Sequence, residues 1–236
     1  MIMSVQGGGM EDKMKSLHEN HRQRIDMKAE TSGLENLPEH EILEQLLFAV
    51  IPRGNTNEIA RALCLEFGGI GNVLKADVDE LRKIDGVGYR AAVFIHNLPD
   101  VLGIVERSLR FGENKITSRE DALEYVKTLF YGKVTEHFYM ISLTSTGGII
   151  KFNKMGEGTT DEVKVYARNV AARALRNGAH SVIIAHNHPG GTAAPSLSDK
   201  TCTEAIERAL DAVGIKLYDS IIVAGGEAVS LFEHMF

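Results

Sequence analysis

The stretch that decides the fold of this chain is Ser181-Val-Ile-Ile-Ala185-His186-Asn-His188-Pro-Gly-Gly191, followed by Pro195-Ser196-Leu-Ser-Asp199. The apolar, β-branched run before His186 predicts a short buried strand. Two histidines at positions i and i+2 leave an extended segment on the same side, so both imidazoles can face one ion. Asp199 opens the next predicted helix, and its carboxylate can fold back toward the histidines as a third ligand.

His186, His188 and Asp199 form a ligand set that suits Zn²⁺ and leaves the fourth position for water. Zinc lowers the pKa of such a water toward about 7, which gives a hydroxide nucleophile at neutral pH. Gly190 and Gly191 allow the loop between the ligands to turn sharply. A His-x-His pair alone also fits a polar loop, but the strand before it and the aspartate after it favour metal ligation.

The sequence around this stretch predicts an α/β domain over residues 113–236. Ser118 is a suitable N-cap for a helix over 119–130, and the apolar period then changes from 3.6 to 2. Residues 137–143 and 148–153 are typical of two strands joined as a hairpin. The remaining predicted elements are helices over 161–177 and 198–213 and strands over 181–185, 217–223 and 229–232.

The first part of the chain, residues 1–112, predicts an all-helical domain of short helices. Residues 1–16 are polar and rich in glycine, and we expect them to be disordered. The apolar positions after them recur at spacings of three and four, which is typical of amphipathic helices. The predicted helices cover residues 37–50, 57–67, 72–76, 78–84, 89–98 and 100–109.

Composition excludes several classes of protein. The chain has 236 residues, of which 44% are hydrophobic and 25% charged, as in ordinary globular proteins. No apolar run approaches the roughly 18 residues of a membrane-spanning helix, and the first ten residues lack the features of a secretory signal. Cys64 and Cys202 lie far apart without CxxC partners, which argues against a disulfide framework and a cysteine zinc site. We therefore expect a cytoplasmic protein with no membrane contact.

The formal net charge is −6, and neither half of the chain carries an excess of basic residues. Proteins that hold duplex DNA mainly through their overall charge usually show a positive excess. Any contact with nucleic acid must therefore come from local geometry.

The metal-ligating stretch resembles a known family signature. It looks like the HxH-x7-SxxD motif of the JAB/MPN (JAMM) metallopeptidases, because it contains His186-x-His188, then seven residues, Ser196, two residues and Asp199. The wider context, including Asn177-x-Ala179 and the Glu41-Ile-Leu-Glu-Gln-Leu-Leu segment, resembles the RadC family over nearly the whole chain. The resemblance implies an N-terminal all-helical helix-hairpin-helix domain followed by a C-terminal α/β MPN (JAB/JAMM) domain with a mixed sheet.

The resemblance also implies two catalytic residues. Glu136, at the start of the first predicted strand, resembles the glutamate that relays a proton from the attacking water to the leaving amine. Ser196 resembles the serine that stabilises the tetrahedral oxyanion. Glu136 also fits an exposed residue at a strand start, with Glu157 and Glu162 as weaker candidates, and Ser196 also fits a helix N-cap.

Three positions depart from the pattern of RadC relatives. The chain has Asn169 where they usually have Glu, Ser220 where they usually have His, and Gly190 where they usually have Ser. All three proposed metal ligands are present, so the departures concern groups that support the site or make family-specific contacts.

A second motif lies in the helical half. Gly86-Val87-Gly88 and the residues around it resemble a helix-hairpin-helix element, a common binder of the DNA backbone. Successive backbone N–H groups at a helix N-terminus attract phosphate, and Arg90 adds positive charge. The same residues also fit a simple glycine turn between packed helices, and Asp85 is unfavourable for phosphate.

Three functions follow from these observations. The first is a zinc-dependent hydrolase that cuts a peptide or isopeptide bond in a protein or peptide substrate. The second is a DNA-associated repair or recombination factor that binds through Gly86, Gly88 and Arg90, with the MPN domain as a structural module. The third is an inactive MPN scaffold for protein partners, against which the complete ligand set argues.

Overall fold

The computed structural model describes residues 8–112, 114–158 and 166–233, with side chains described from residue 20 onward. It has an α/β architecture with an N-terminal helical region and a C-terminal mixed five-stranded sheet. Contacts within the chain divide it into two units, Met1–Leu98 and Pro99–Phe236. The sequence places this boundary later, at residue 112.

Helices build the first unit, which contains an apolar core. They are α1 (Gly8–Ser32), α2 (Glu39–Phe48), α3 (Thr56–Phe67), α4 (Ile70–Val73), α5 (Val78–Leu81) and the first part of α6 (Tyr89–Arg110). Fully buried leucines such as Leu43, Leu47 and Leu63 form the centre of the core. The amphipathic spacing of these residues is the reason that the helices pack as the sequence predicts.

Residues 1–16 are expected to be disordered, and within this range the structure describes a helix, α1, from Gly8 onward. Residues 10–15 include Met, Glu and Lys, which have high helix propensity. Their helix continues without a break to Ser32, so no separate nucleation is needed. Residues 1–7 lie outside the described residues.

The prediction of two helices over 89–98 and 100–109 is also wrong, because α6 runs through Pro99 as one element. An internal proline costs about 3 kcal/mol because it lacks an N–H and crowds the preceding turn. The part from Pro99 onward belongs to the second unit, where its contacts offset this cost. Lys133 Nζ donates to Asp100 at 2.9 Å, and Arg107 donates to the Thr128 hydroxyl at 2.7 Å.

A mixed sheet with the strand order β2-β1-β3-β4-β5 forms the second unit. Its strands are β1 (Glu136–Leu143), β2 (Ile149–Gly158), β3 (Ser181–Asn187), β4 (Lys216–Ala224) and β5 (Glu227–Ser230). The β3–β4 pair is parallel, and the other three pairs are antiparallel. The mixed sheet is thus confirmed.

Helices cover both faces of this sheet. α7 (Arg119–Lys127) packs on one face, and α8 (Ala167–Asn177) and α9 (Leu197–Asp211) pack on the other. Because side chains alternate along a strand, one face receives Tyr139 and Ile183, and the other receives Phe138 and Ile184. Every residue of β3 is buried, as the apolar run predicts.

Several predicted bounds shift at the ends of elements. β2 continues to Gly158, five residues beyond its predicted end at 153, since its pairing with β1 extends to Glu136. The final strand ends at Ser230, and a 3₁₀ turn follows over Leu231–Glu233. Of the helix predicted over 161–177, α8 covers the part from Ala167, and residues 161–165 lie outside the described residues.

Candidate metal centre

His186 lies near the end of β3, with paired strands on both sides. It pairs with Phe138 of β1 and with Ile222 of β4, and only 6% of the residue is exposed. The Phe138 ring lies parallel to the imidazole at a centroid distance of 5.9 Å. The sheet and this ring therefore fix the direction in which the imidazole points.

His188 follows the strand and is held by the loop. Its backbone N–H donates to the Val223 carbonyl at 2.9 Å, and its Nδ1 lies 2.9 Å from the Thr192 carbonyl oxygen. Because a carbonyl can only accept, Nδ1 carries the proton of this bond and a neutral ring has its lone pair on Nε2. Hydrogen bonds of this kind commonly orient histidine ligands in metal sites.

Asp199 is oriented by a capping box at the start of α9. Ser196 is the N-cap residue, as the sequence allows, and its hydroxyl accepts from the Asp199 N–H at 3.2 Å. The Oδ2 atom of Asp199 accepts in return from the Ser196 backbone N–H at 2.7 Å and from its hydroxyl at 2.6 Å. These bonds fix the carboxylate, with Oδ1 directed at His186 and Oδ2 lying 3.6 Å from His188 Nε2.

The three predicted ligands converge. His186 Nε2 lies 3.1 Å from His188 Nε2 and 3.0 Å from Asp199 Oδ1. Each of the three residues offers a ligand atom within 4.8 Å of the others. A tetrahedral zinc with bonds of about 2.05 Å separates its ligand atoms by about 3.3 Å, so these residues fit Zn²⁺ closely.

The charge balance at Asp199 favours its ionised form. Burial alone raises the pKa of this carboxyl, but hydrogen bonds from His186 and Ser196 outweigh burial and hold the pKa well below its usual range. An ionised carboxylate beside two imidazoles is the state that a divalent cation requires.

Glu136 opens β1 and lines the same cavity as His186 and Asp199. The cavity walls come from β1, β3 and α9, namely Glu136, Phe138, His186, Ser198, Asp199, Cys202 and Thr203. Glu157 points elsewhere, since its carboxylate pairs with Lys154 and lies 3.4 Å from His137 Nε2. Glu162 lies outside the described residues.

The three departures from the family pattern have different surroundings. Asn169 is exposed on α8. Ser220 is buried on β4, where its hydroxyl lies 2.9 Å from the Thr203 hydroxyl beside the cavity. Gly190 has a φ of +71°, a conformation that favours glycine over the serine usual in relatives.

The sequence patterns did not predict two polar groups at this centre. The carbonyl of Thr192 orients His188, but a backbone group leaves no signal in residue types. The other is Asn187, between the two histidine ligands, whose side chain bonds the backbone of Thr135 and His137. Its place within His-Asn-His was the available signal.

The predicted phosphate-binding residues lie in the first unit, with Gly86 and Gly88 in the turn before α6 and Arg90 in its first turn. Gly86 has a φ of +83°, and Gly88 and Arg90 are exposed. Arg82 and Lys83 nearby are paired with Asp79 and Glu80.

Over the residues that the structure describes, we find no helix with the length and apolar character needed to cross a membrane.

Comparisons with known proteins agree with this architecture. Residues 116–236 match the sequence profile of the RadC-like JAB domain. The UPF0758 protein of Fusobacterium nucleatum subsp. nucleatum is 33% identical over 223 residues, which cover 92% of this chain and 96% of that protein. The UPF0758 protein of Ruegeria pomeroyi is 35% identical over 218 residues, with the same coverage of both chains. This chain therefore belongs to the RadC family.

Proposed function

We propose that this protein is a zinc-dependent hydrolase of the JAMM type that cleaves a peptide or isopeptide bond. The observation that carries the proposal is the convergence of His186, His188 and Asp199 on one point, beside a cavity that His186 and Asp199 line together with Glu136. Two histidines and one carboxylate with an open position form the ligand pattern of catalytic rather than structural zinc sites.

When bound, zinc supplies a Lewis acid that generates a hydroxide nucleophile at neutral pH. His186, His188 and Asp199 would hold the ion at the end of β3. Glu136 takes the proton of the attacking water and returns it to the leaving nitrogen, which is the usual task of a positioned carboxylate. The buried side of the cavity, formed by Phe138 and His186, lowers the local polarity and strengthens these interactions.

Ser196 enters this proposal in two roles. Its hydroxyl donates to Asp199 Oδ2 in the capping box, which positions a ligand. To stabilise an oxyanion as well, the hydroxyl would have to turn its proton from Asp199 toward the substrate oxygen.

The test combines metal removal with variants of two glutamates. Wild-type protein loaded with zinc is incubated with a proteome-derived peptide mixture, and new peptide termini are identified by mass spectrometry. We expect cleavage to disappear on chelation and to fall by about 10²–10⁴-fold in Glu136→Gln, the range for loss of a general acid–base group. Glu157→Gln is the matched control, since Glu157 lies on the neighbouring strand and should keep full activity. Cleavage that survives chelation would overturn the proposal.

A second candidate function, DNA binding, is favoured by the turn before α6. Gly86 adopts positive φ, Val87 is buried beneath it, and Val87 N–H donates to Ile84 at 3.1 Å. The exposed residues Gly88 and Arg90 follow this tight turn, where α6 begins. Such an arrangement can bind a phosphate through backbone N–H groups, in a helix-hairpin-helix manner.

Fluorescence anisotropy with branched, nicked and single-stranded DNA at several salt concentrations tests this second function. Gly86 is a poor choice for mutation, because a Cβ there would lie 2.7 Å from Ile59 Cδ1. Arg90→Glu should weaken binding and lower the salt slope by about 1, while Arg61→Glu, an exposed control on α3, should not. No binding to any of the three DNAs would exclude this function.

Both cysteines are free, in keeping with the reducing cytoplasm that we propose for either function.

A further inference from the structure

Asn187 lies between the two histidine ligands, yet its side chain is not directed at the metal centre. The residue is 5% exposed, and its amide bridges to the start of β1. Oδ1 accepts from the His137 backbone N–H at 2.8 Å, and Nδ2 donates to the Thr135 backbone carbonyl at 3.0 Å. An N–H can only donate and a carbonyl can only accept, so these two partners fix the orientation of the amide.

The two partners of Asn187 are the residues on either side of Glu136. Backbone pairing between β1 and β3 ends at Phe138 and His186, so it does not reach Glu136. On the other side of β1, Glu136 pairs with Gly158 at the last residue of β2. Beyond the end of the β1–β3 ladder, the Asn187 amide therefore takes the place of backbone pairing and joins the ligand strand to the segment that carries Glu136.

The ligands themselves have separate supports. His186 is held by the strands on both sides, and His188 by its bonds to Val223 and Thr192. Loss of the Asn187 amide therefore removes hydrogen bonds from the Glu136 segment and none from the ligand side chains.

We propose that Asn187 is a positioning residue that holds Glu136 at its working distance from the metal centre. This inference rests on the proposed hydrolase function, in which Glu136 moves the proton. General acid–base groups work only in the correct geometry, and a displacement of about 1 Å can cost about 10²-fold in rate. Asn187 thus couples the ligand strand to the proton-transfer residue.

The test compares Asn187→Ala with Asn177→Ala. Asn177 is a matched control because its amide also bridges two groups in the same unit, Ser142 and Asn153, outside the cavity lining. In Asn187→Ala we expect full zinc content and an unchanged KM on a peptide that the wild type cleaves. We expect kcat to fall by about 10–100-fold, the usual effect of losing a group that supports a metal site. Hydrogen exchange at the His137 amide should rise by about tenfold in Asn187→Ala. Asn177→Ala should change neither kcat nor the exchange at His137.

A double variant separates positioning from general destabilisation. If Asn187 acts through Glu136, Asn187→Ala should lower kcat no further in a Glu136→Gln background. Additive losses, loss of zinc in Asn187→Ala, or unchanged exchange at His137 would each overturn the inference. If the wild type cleaves no peptide, the hydrolase proposal fails. Zinc content and exchange at residues 134–138 then still decide whether Asn187 holds this segment independently of the metal.

Discussion

Asp199 Oδ1 lies 3.0 Å from His186 Nε2, while the other oxygen of the same carboxylate closes the capping box of α9. One side chain thus joins the end of a buried strand to the start of a helix. The helix cap orients this candidate ligand, because Ser196 holds Oδ2 while Oδ1 faces His186. Ligand geometry and helix stability are therefore linked at this residue.

Ser196→Ala should destabilise the protein by about 1 kcal/mol, the usual cost of losing an N-cap side chain. Ser118→Ala is a close control, because Ser118 and Asp121 form an equivalent capping box at the start of α7. Urea denaturation should give similar losses for the two variants. Zinc affinity should fall only in Ser196→Ala, since only this variant removes a hydrogen bond from the carboxylate of a candidate ligand. Equal zinc affinity in both variants would show that the cap does not orient Asp199.

Zinc should stabilise the folded protein, because the ligand set exists only in the folded state. A ligand at 100 times its Kd adds about 2.7 kcal/mol to the free energy of unfolding. Thermal unfolding with and without added zinc should therefore show a clear increase in Tm for the wild type. The increase should persist in His180→Ala, which changes an exposed histidine before β3, and disappear in His186→Ala. An equal shift in all three proteins would indicate zinc binding elsewhere.

Two aspartates in the second unit should have opposite effects on stability as pH changes. Asp219 is fully buried, and burial raises its pKa despite hydrogen bonds from Ser230 and Ser220. The folded state then binds its proton more tightly than the unfolded chain, whose aspartate pKa is about 3.9. The contribution of Asp219 to stability is therefore full below about pH 3.9 and is lost as pH rises through the raised pKa.

Asp121 should behave in the reverse way. Hydrogen bonds from the Thr117 hydroxyl and backbone lower its pKa, so its contribution is present above about pH 3.9 and is lost as pH falls through the lowered pKa. Urea denaturation across pH 3–7 checks both signs. The Asp219 side chain lowers the stability of the wild type as pH rises, and this decrease should be absent from Asp219→Asn. The Asp121 side chain raises the stability of the wild type as pH rises, and this increase should be absent from Asp121→Asn. If the difference in unfolding free energy between wild type and variant changed with pH in the same direction for both variants, these assignments would be contradicted.

Much of the centre was predictable because its ligands lie close together in sequence. The buried run before His186 indicated a strand, and the i, i+2 spacing placed both imidazoles on one side, as found. The N-cap roles of Ser118 and Ser196 were also predictable from residue type and position, and both are confirmed.

Other features depend on contacts that local patterns do not contain. Pro99 indicated a break, but bonds such as that of Lys133 to Asp100 keep α6 continuous. The role of Asn187 depends on its pairing with a segment 50 residues earlier in the chain, which only the sheet register reveals. The resemblance to JAMM enzymes led to Glu136, since a strand-start glutamate carries no chemical signal by itself. Its place in the ligand cavity supports that assignment.

The most direct test of the central claim is zinc content per chain, measured by elemental analysis after purification without chelators. Wild type, His188→Ala and the control His180→Ala are compared after the same reconstitution with zinc. The account predicts about one zinc per chain in the wild type and in His180→Ala, and loss of that zinc in His188→Ala. Absence of zinc from the reconstituted wild type, or full retention in His188→Ala, would contradict it.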